Sequence, residues 1–122
     1  MKRLFITDIH FGSLTLKAPR IAALTKLVML QEWDEIILGG DIFDLWVFPN
    51  NPSKAFHASS PFRQALKVAV ARGAKIIYVL GNHDCDVPQF GFLREFSSYH
   101  AKHEFVENGK VFRFEHGHQY DP

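Results

Sequence analysis

Three short apolar runs, separated by stretches with helical periodicity, constrain the fold of this 122-residue chain most strongly. They span residues 3–7, 35–38 and 75–80, and each is rich in residues that favour β-strands. Strands that alternate with helices predict right-handed crossover connections and a parallel sheet. The sequence therefore predicts an α/β fold in which helices, or a second sheet, cover the faces of a parallel sheet.

Two helices are predicted between these strands. The first begins near Pro19 and carries apolar residues at helical spacing as far as Leu30. The second is expected to have Ser60 as its N-cap, a proline directly after it, and Gly73 as its stop. Residues 45–59 contain several prolines and asparagines and are expected to form a loop.

The last third of the chain is predicted to contain a further helix and a hairpin. Residues 88–99 have phenylalanine and leucine side chains three apart, which favours a helix. Residues 104–107 and 110–114 flank Asn108-Gly109, a dipeptide that tight hairpin turns favour. The predicted order of elements is therefore β-α-β-α-β-α-β-β.

Composition narrows the class of protein. The 14 basic and 13 acidic side chains give a net charge of +1, without the basic excess typical of nucleic-acid binding. We therefore expect no nucleic-acid partner. No apolar run approaches the roughly 18 residues of a membrane span. The single cysteine cannot build a disulfide framework, which favours a reducing, cytoplasmic location.

Polar side chains that can bind a metal ion follow each predicted strand. Asp8 and His10 follow the first strand, Asp41 follows the second, and Asn82 follows the third. The carboxyl ends of parallel strands share one edge of the sheet, so we expect these side chains to converge there. An extended backbone would also point Asp8 and His10 in the same direction, because they are two residues apart.

The residue types at this edge indicate the kind of ion. Carboxylates, imidazoles and an amide oxygen suit a borderline or hard divalent ion such as manganese, iron, zinc or cobalt. His116 comes at the end of the last predicted strand and is a fifth candidate ligand. Two metal ions about 3.5–4 Å apart that share a carboxylate can clamp an in-line phosphoryl displacement.

Each residue also has an ordinary structural interpretation when taken singly. Asp8 could cap a turn, His10 could be a surface histidine, and Asp44 fits a structural role better than direct contact with a metal. Their occurrence at successive strand ends is what favours a site. Three aromatic residues of the predicted loop could either line an acyl-chain pocket or form a local core: Trp46, Phe48 and Phe56.

Four motifs in order along residues 4–118 resemble those of the calcineurin-like metallophosphoesterases. They are Asp8-Ile9-His10, Gly40-Asp41-Ile42-Phe43-Asp44, Gly81-Asn82-His83-Asp84 and His116-Gly117. Residues 40–46, Gly-Asp-Ile-Phe-Asp-Leu-Trp, are most similar to the UDP-2,3-diacylglucosamine hydrolases of lipid A synthesis, which cut a pyrophosphate and release UMP. The chain departs from that group at His83, where those hydrolases typically carry arginine.

The resemblance implies the α-β-β-α sandwich of these enzymes. The first sheet would be largely present and the second incomplete, because the family's final Gly-His-x-His motif is absent from the sequence. We therefore expect residues 1–122 to form a single, truncated metallophosphoesterase domain. The sheet face left uncovered by the truncation would be exposed or buried in a homo-oligomer.

The resemblance also implies a role for each matched residue. Five side chains would hold two divalent metal ions, with manganese as the expected metal: Asp8, His10, Asp41, Asn82 and His116. Asp41 would bridge the ions, and a metal-bridging hydroxide would attack the phosphorus atom. His83 would stabilise the phosphoryl oxygens or protonate the leaving group, and Asp84 would orient it.

The expected function is therefore metal-dependent hydrolysis of a phosphoester or pyrophosphate bond. The substrate would be a phosphorylated small molecule or a nucleotide-linked lipid, met in the cytoplasm or at the surface of the inner membrane. Three alternatives stay open at this point: a truncated or degenerate metal-binding fragment without turnover, a phosphodiesterase for another phosphorylated substrate, and a binding module that assembles through its uncovered sheet.

Overall fold

The computed structural model describes residues 1–13, 16–44, 57–81 and 97–116 of the chain. Its strands and helices, in chain order, are β1 (Arg3–Ile6), α1 (Ala18–Met29), β2 (Glu35–Leu38), α2 (Ser60–Ala71), β3 (Lys75–Val79), β4 (Ser97–His100), β5 (His103–Glu107) and β6 (Lys110–Phe114). Among these described residues, no helix is long and apolar enough to cross a membrane.

The first four strands form a parallel sheet in the order β1-β2-β3-β4. In its register Phe5 lies beside Ile37, and Ile37 lies beside Ile77. β5 and β6 form a separate antiparallel hairpin, whose turn contains Asn108 in the left-handed conformation followed by Gly109. The parallel sheet, the two helices and the hairpin predicted from the sequence are confirmed.

Alternation along the strands divides the apolar side chains between the two faces of the sheet. On one face, alternate residues of the first three strands form a core with Val28 of α1 and with Phe62 and Leu66 of α2. On the other face, a smaller cluster made of Ile37, Ile77 and Val79 packs against two hairpin side chains, Phe105 and Phe114. The fold is therefore layered, with helices on one side of the parallel sheet and a small second sheet on the other.

The prediction of a helix over residues 88–99 is wrong for its last residues, because Ser97–His100 forms β4. This segment pairs with β3 and completes the edge that β3 would otherwise leave open, and the ring of Tyr99 lies 5.7 Å from that of Tyr78. The three-residue apolar spacing that favoured a helix lies entirely before residue 97. Residues 88–96 lie outside the described part of the chain.

The predicted bounds of the second helix and of the loop before it need correction. Ser59 is the N-cap residue of α2, and its hydroxyl accepts a hydrogen bond from Arg63 Nε at 2.9 Å without capping the backbone. Residues 57–58, expected to be part of the loop, are helical, since the turn-forming residues that favoured a loop all precede them. Residues 45–56 lie outside the described residues. Gly73 ends the helix as predicted, with φ of 103°.

Phe114 is one of the hairpin side chains that pack on the parallel sheet, and its loss should therefore lower the stability of the fold. The Phe114 ring stacks on Phe5 at 5.5 Å and packs on the Ile37 cluster. Phe114→Ala should lower the free energy of unfolding by about 2 kcal/mol, because a half-buried aromatic contact is lost. Urea denaturation followed by circular dichroism measures this change.

The matched control is Val111→Ala on the same strand, where the side chain is 68% exposed. Its expected effect is below about 0.5 kcal/mol, as for most exposed positions. Equal losses from the two substitutions would contradict the packing described here.

Candidate metal centre

The candidate site lies beyond the carboxyl ends of β1 and β2, where the two following loops continue to pair. The backbone N–H of Asp8 donates to the carbonyl of Gly40 at 3.0 Å, and that of His10 donates to the carbonyl of Asp41 at 2.9 Å. A further parallel bridge joins Phe11 to Phe43. The loops that carry the site are therefore held by the same kind of hydrogen bonds as the sheet itself.

Three site residues adopt the left-handed backbone conformation. The φ angles are 56° at Asp8, 60° at His10 and 51° at Asp41. For residues other than glycine this conformation costs about 1–2 kcal/mol, and such strain concentrates at functional sites. The expectation that an extended backbone aligns Asp8 with His10 is therefore wrong, because two left-handed residues bring their side chains together.

Four side-chain atoms from these loops and from the end of the hairpin converge. Nε2 of His116 lies 3.2 Å from Asp8 Oδ1 and 3.2 Å from Asp41 Oδ2. Nε2 of His10 faces the same two oxygens at 3.7 and 3.9 Å. The ligand atoms of Asp8, His10 and Asp41 all lie within 4.8 Å of one another.

These separations fit a divalent metal ion. Nitrogen and oxygen ligands bound at about 2.0–2.2 Å in tetrahedral geometry lie roughly 3.4 Å from one another. Asp8, His10, Asp41 and His116 offer two carboxylates and two imidazoles, a donor set that suits manganese, iron, zinc and cobalt. The residues present therefore fit the kind of ion that the sequence predicted, without distinguishing between these metals.

The Asp8 carboxyl is held in the ionised form that metal binding needs. Burial raises the pKa of this carboxyl, but hydrogen bonds from Thr7 and His116 and electrostatic interactions with His116 and His10 together outweigh burial. The pKa of Asp8 consequently lies below its ordinary value. Thr7, which sequence reasoning missed, donates its hydroxyl to Asp8 Oδ2 at 2.7 Å. The sequence signal for this hydrogen bond is that a residue with a hydroxyl group directly precedes the aspartate.

Asp44 lies on the far side of His10 from the converging atoms. Its buried carboxylate Oδ2 is 3.4 Å from Nδ1 of His10, and its backbone N–H donates to the carbonyl of Phe11 at 2.9 Å. A carboxylate behind a histidine fixes the orientation and tautomer of the ring, and Asp44 would in this way hold Nε2 of His10 towards a bound ion. This is the structural role expected for Asp44.

Two glycines have no side chain where candidate ligands of the site pack against them. A Cβ atom on Gly81 would lie 2.6 Å from the backbone nitrogen of Asp41 and would collide with Asp41 Oδ1. A Cβ atom on Gly40, where φ is 98°, would lie 2.8 Å from Cδ2 of His116. Any side chain at either position would therefore displace a candidate ligand.

The structure thus brings together four of the five predicted metal ligands. The fifth, Asn82, lies outside the described residues, as do the predicted catalytic residues His83 and Asp84. The loop aromatics Trp46, Phe48 and Phe56 also lie outside them. The roles assigned to all of these side chains stay predictions.

Because Gly81 packs closely against Asp41, adding one methyl group at residue 81 should weaken metal binding. Gly81→Ala should weaken binding of Mn²⁺ at least about tenfold, because the new Cβ atom would push the Asp41 carboxylate out of position. Isothermal titration calorimetry with MnCl2 measures the affinity, and a thermal melt confirms that the variant is folded.

Gly73→Ala provides the control. Gly73 has φ of 103°, but a Cβ atom there would meet nothing within 4 Å, so alanine costs about 1 kcal/mol of backbone strain and leaves the site untouched. Wild-type affinity for Mn²⁺ in Gly81→Ala would contradict the proposed position of Asp41.

The comparison with known families agrees with this geometry. The family model of the calcineurin-like phosphoesterases matches residues 1–120. No curated protein matches the chain. The parallel sheet with a small second sheet on one face is consistent with the fold of the matched family. Since the match covers nearly the whole sequence, the chain belongs to the calcineurin-like phosphoesterase family, whose domain indicates a hydrolase acting on phosphoester bonds.

Proposed function

We propose that this protein hydrolyses phosphoester or pyrophosphate bonds with two divalent metal ions, manganese being the preferred one. The single observation that carries the proposal is the convergence of His10 and His116 Nε2 on the same oxygens of Asp8 and Asp41. Without a cation, two carboxylates so close together repel each other, and that of Asp41 is also buried. Asn82 is proposed as the remaining ligand on the strength of the sequence motif.

The roles proposed for Asp41 and Asp44 follow from their contacts, and those proposed for His83 and Asp84 follow from the sequence motif. Bound divalent ions would supply Lewis acidity and an acidified water at neutral pH. Asp41, which is buried, would hold both ions, while Asp44 would keep His10 in the ligating orientation. His83 would stabilise the phosphoryl oxygens or protonate the leaving group, with Asp84 orienting its ring.

Metal-dependent turnover is the direct test of this proposal. With Mn²⁺ the purified protein should hydrolyse bis(4-nitrophenyl) phosphate, lose activity in EDTA and regain it when Mn²⁺ is restored. Asp41→Asn should lower kcat at least about 100-fold, because a buried ligand charge is lost. Release of 4-nitrophenolate, followed by its absorbance, measures the rate.

Asp34→Asn is the matched control, since Asp34 is exposed and accepts a hydrogen bond from the Lys2 backbone away from the site. Its kcat should stay within about twofold of wild type. Absence of turnover with every divalent metal would refute hydrolysis. Substoichiometric metal, measured by mass spectrometry, together with slow or no turnover would instead support the truncated, non-catalytic alternative.

The proposed substrate is a UDP-2,3-diacylglucosamine-like pyrophosphate in lipid A synthesis. The support is the Gly-Asp-Ile-Phe-Asp-Leu-Trp sequence at residues 40–46. With such a substrate the protein should release UMP, detected by chromatography, with a kcat/KM at least about tenfold above that for the aryl diester. A lower kcat/KM for the UDP-linked lipid would assign the enzyme to another phosphorylated substrate and leave the hydrolytic chemistry intact.

A further inference from the structure

A cavity of about 330 Å³ opens beside the candidate metal centre, between the loop after β1 and helix α1. Thr7, Asp8 and Ile9 line it on the strand side, and Arg20, Leu24 and Leu27 are among the residues that line it on the helix side. Its volume lies at the small end of the range for ligand pockets, about 300–1,000 Å³. Asp8 both lines this cavity and contributes to the candidate metal centre, so the cavity adjoins the site at this carboxylate.

Arg20 gives the helix side of this cavity a positive charge. Its side chain is exposed in the first turn of α1, and it takes part in no ion pair with any described residue. No acidic residue lies in that turn, so the partial positive charge of the helix N-terminus adds to the guanidinium. A cation near a helix N-terminus is repelled by the positive end of the helix dipole. An anion bound in the cavity would offset this repulsion.

The rest of the helix side is apolar. Leu24 packs partly against the main core, while Leu27 keeps 37% of its surface exposed. Pockets that combine an apolar wall with one charged group typically orient a ligand by that group and bind its body by burial. The helix side of the cavity, opposite the Asp8 carboxylate, therefore suits a substituent with an apolar body and one negative charge.

We propose that Arg20 is a specificity-determining residue, which binds a second anionic group carried by the substituent on the scissile phosphate. The guanidinium would pair with a carboxylate or a further phosphate, both of which match its planar donors. Leu24 and Leu27 would contact the apolar part of the same substituent. This inference rests on the proposed function, because it takes the phosphoryl group to lie at Asp8 and Asp41.

Two phosphonates test the inference without turnover, since their carbon–phosphorus bond is not a phosphoester. Phenylphosphonate and 3-phosphonobenzoate differ only by a carboxylate on the ring. Calorimetry with the Mn²⁺-loaded protein should show about tenfold tighter binding of 3-phosphonobenzoate, as expected for a charge-assisted pair. Arg20→Gln should bring the two affinities within about twofold of each other.

Lys26→Gln is the matched control, because it removes one positive charge from the same helix but lines a different cavity. It should retain the preference for 3-phosphonobenzoate. Equal affinity of the wild-type protein for the two phosphonates, failure to bind either, or an unchanged preference in Arg20→Gln would each overturn the inference. Failure of the proposed function would show separately, as absence of turnover with phosphoester substrates.

Discussion

The close approach of Phe114 to Gly39 joins the two sheets, and the candidate site depends on it. The ring of Phe114 occupies the space that a side chain on Gly39 would fill, and it stacks on Phe5 of the first strand. His116 follows two residues later, with Nε2 at 3.2 Å from carboxylate oxygens of Asp8 and Asp41. The packing of Phe114 on Gly39 therefore helps to bring His116 to the two carboxylates that follow β1 and β2.

The backbone of the candidate site is locally strained. Asp8, His10 and Asp41 all occupy left-handed backbone conformations, and two carboxylates face each other across a short distance. The hydrogen bonds between the loops after β1 and β2 hold this arrangement in place. Hence the sheet supplies the stability, while a bound divalent ion would neutralise the concentrated negative charge.

Much of this arrangement could be predicted because the residues carry strong local signals. The apolar runs around Ile36, Ile76 and Leu4 specify parallel strands, and the topology of such a sheet places Asp8 and Asp41 at one edge. β4 could not be predicted in the same way. Its serines have weak strand preference, and it forms because β3 offers an edge and Tyr78 offers a packing surface.

The backbone conformation of the site also could not be read from the sequence. Nothing in the sequence around Asp8 and His10 distinguishes two left-handed residues from an extended pair, and both arrangements bring the side chains together. The contribution of Thr7 and the cavity beside Arg20 depend on distances between segments that are separate along the chain. Such features arise from packing between distant segments, and the spacing of residues along the sequence does not predict them.

Anomalous diffraction from crystals grown with Mn²⁺ tests the central claim most directly. A manganese peak should lie about 2.0–2.3 Å from Oδ1 of Asp8, Oδ2 of Asp41 and Nε2 of at least one of His10 and His116. That result would establish the converging side chains as a metal centre. A manganese peak elsewhere in the protein, or none in crystals soaked at saturating Mn²⁺, would contradict the account.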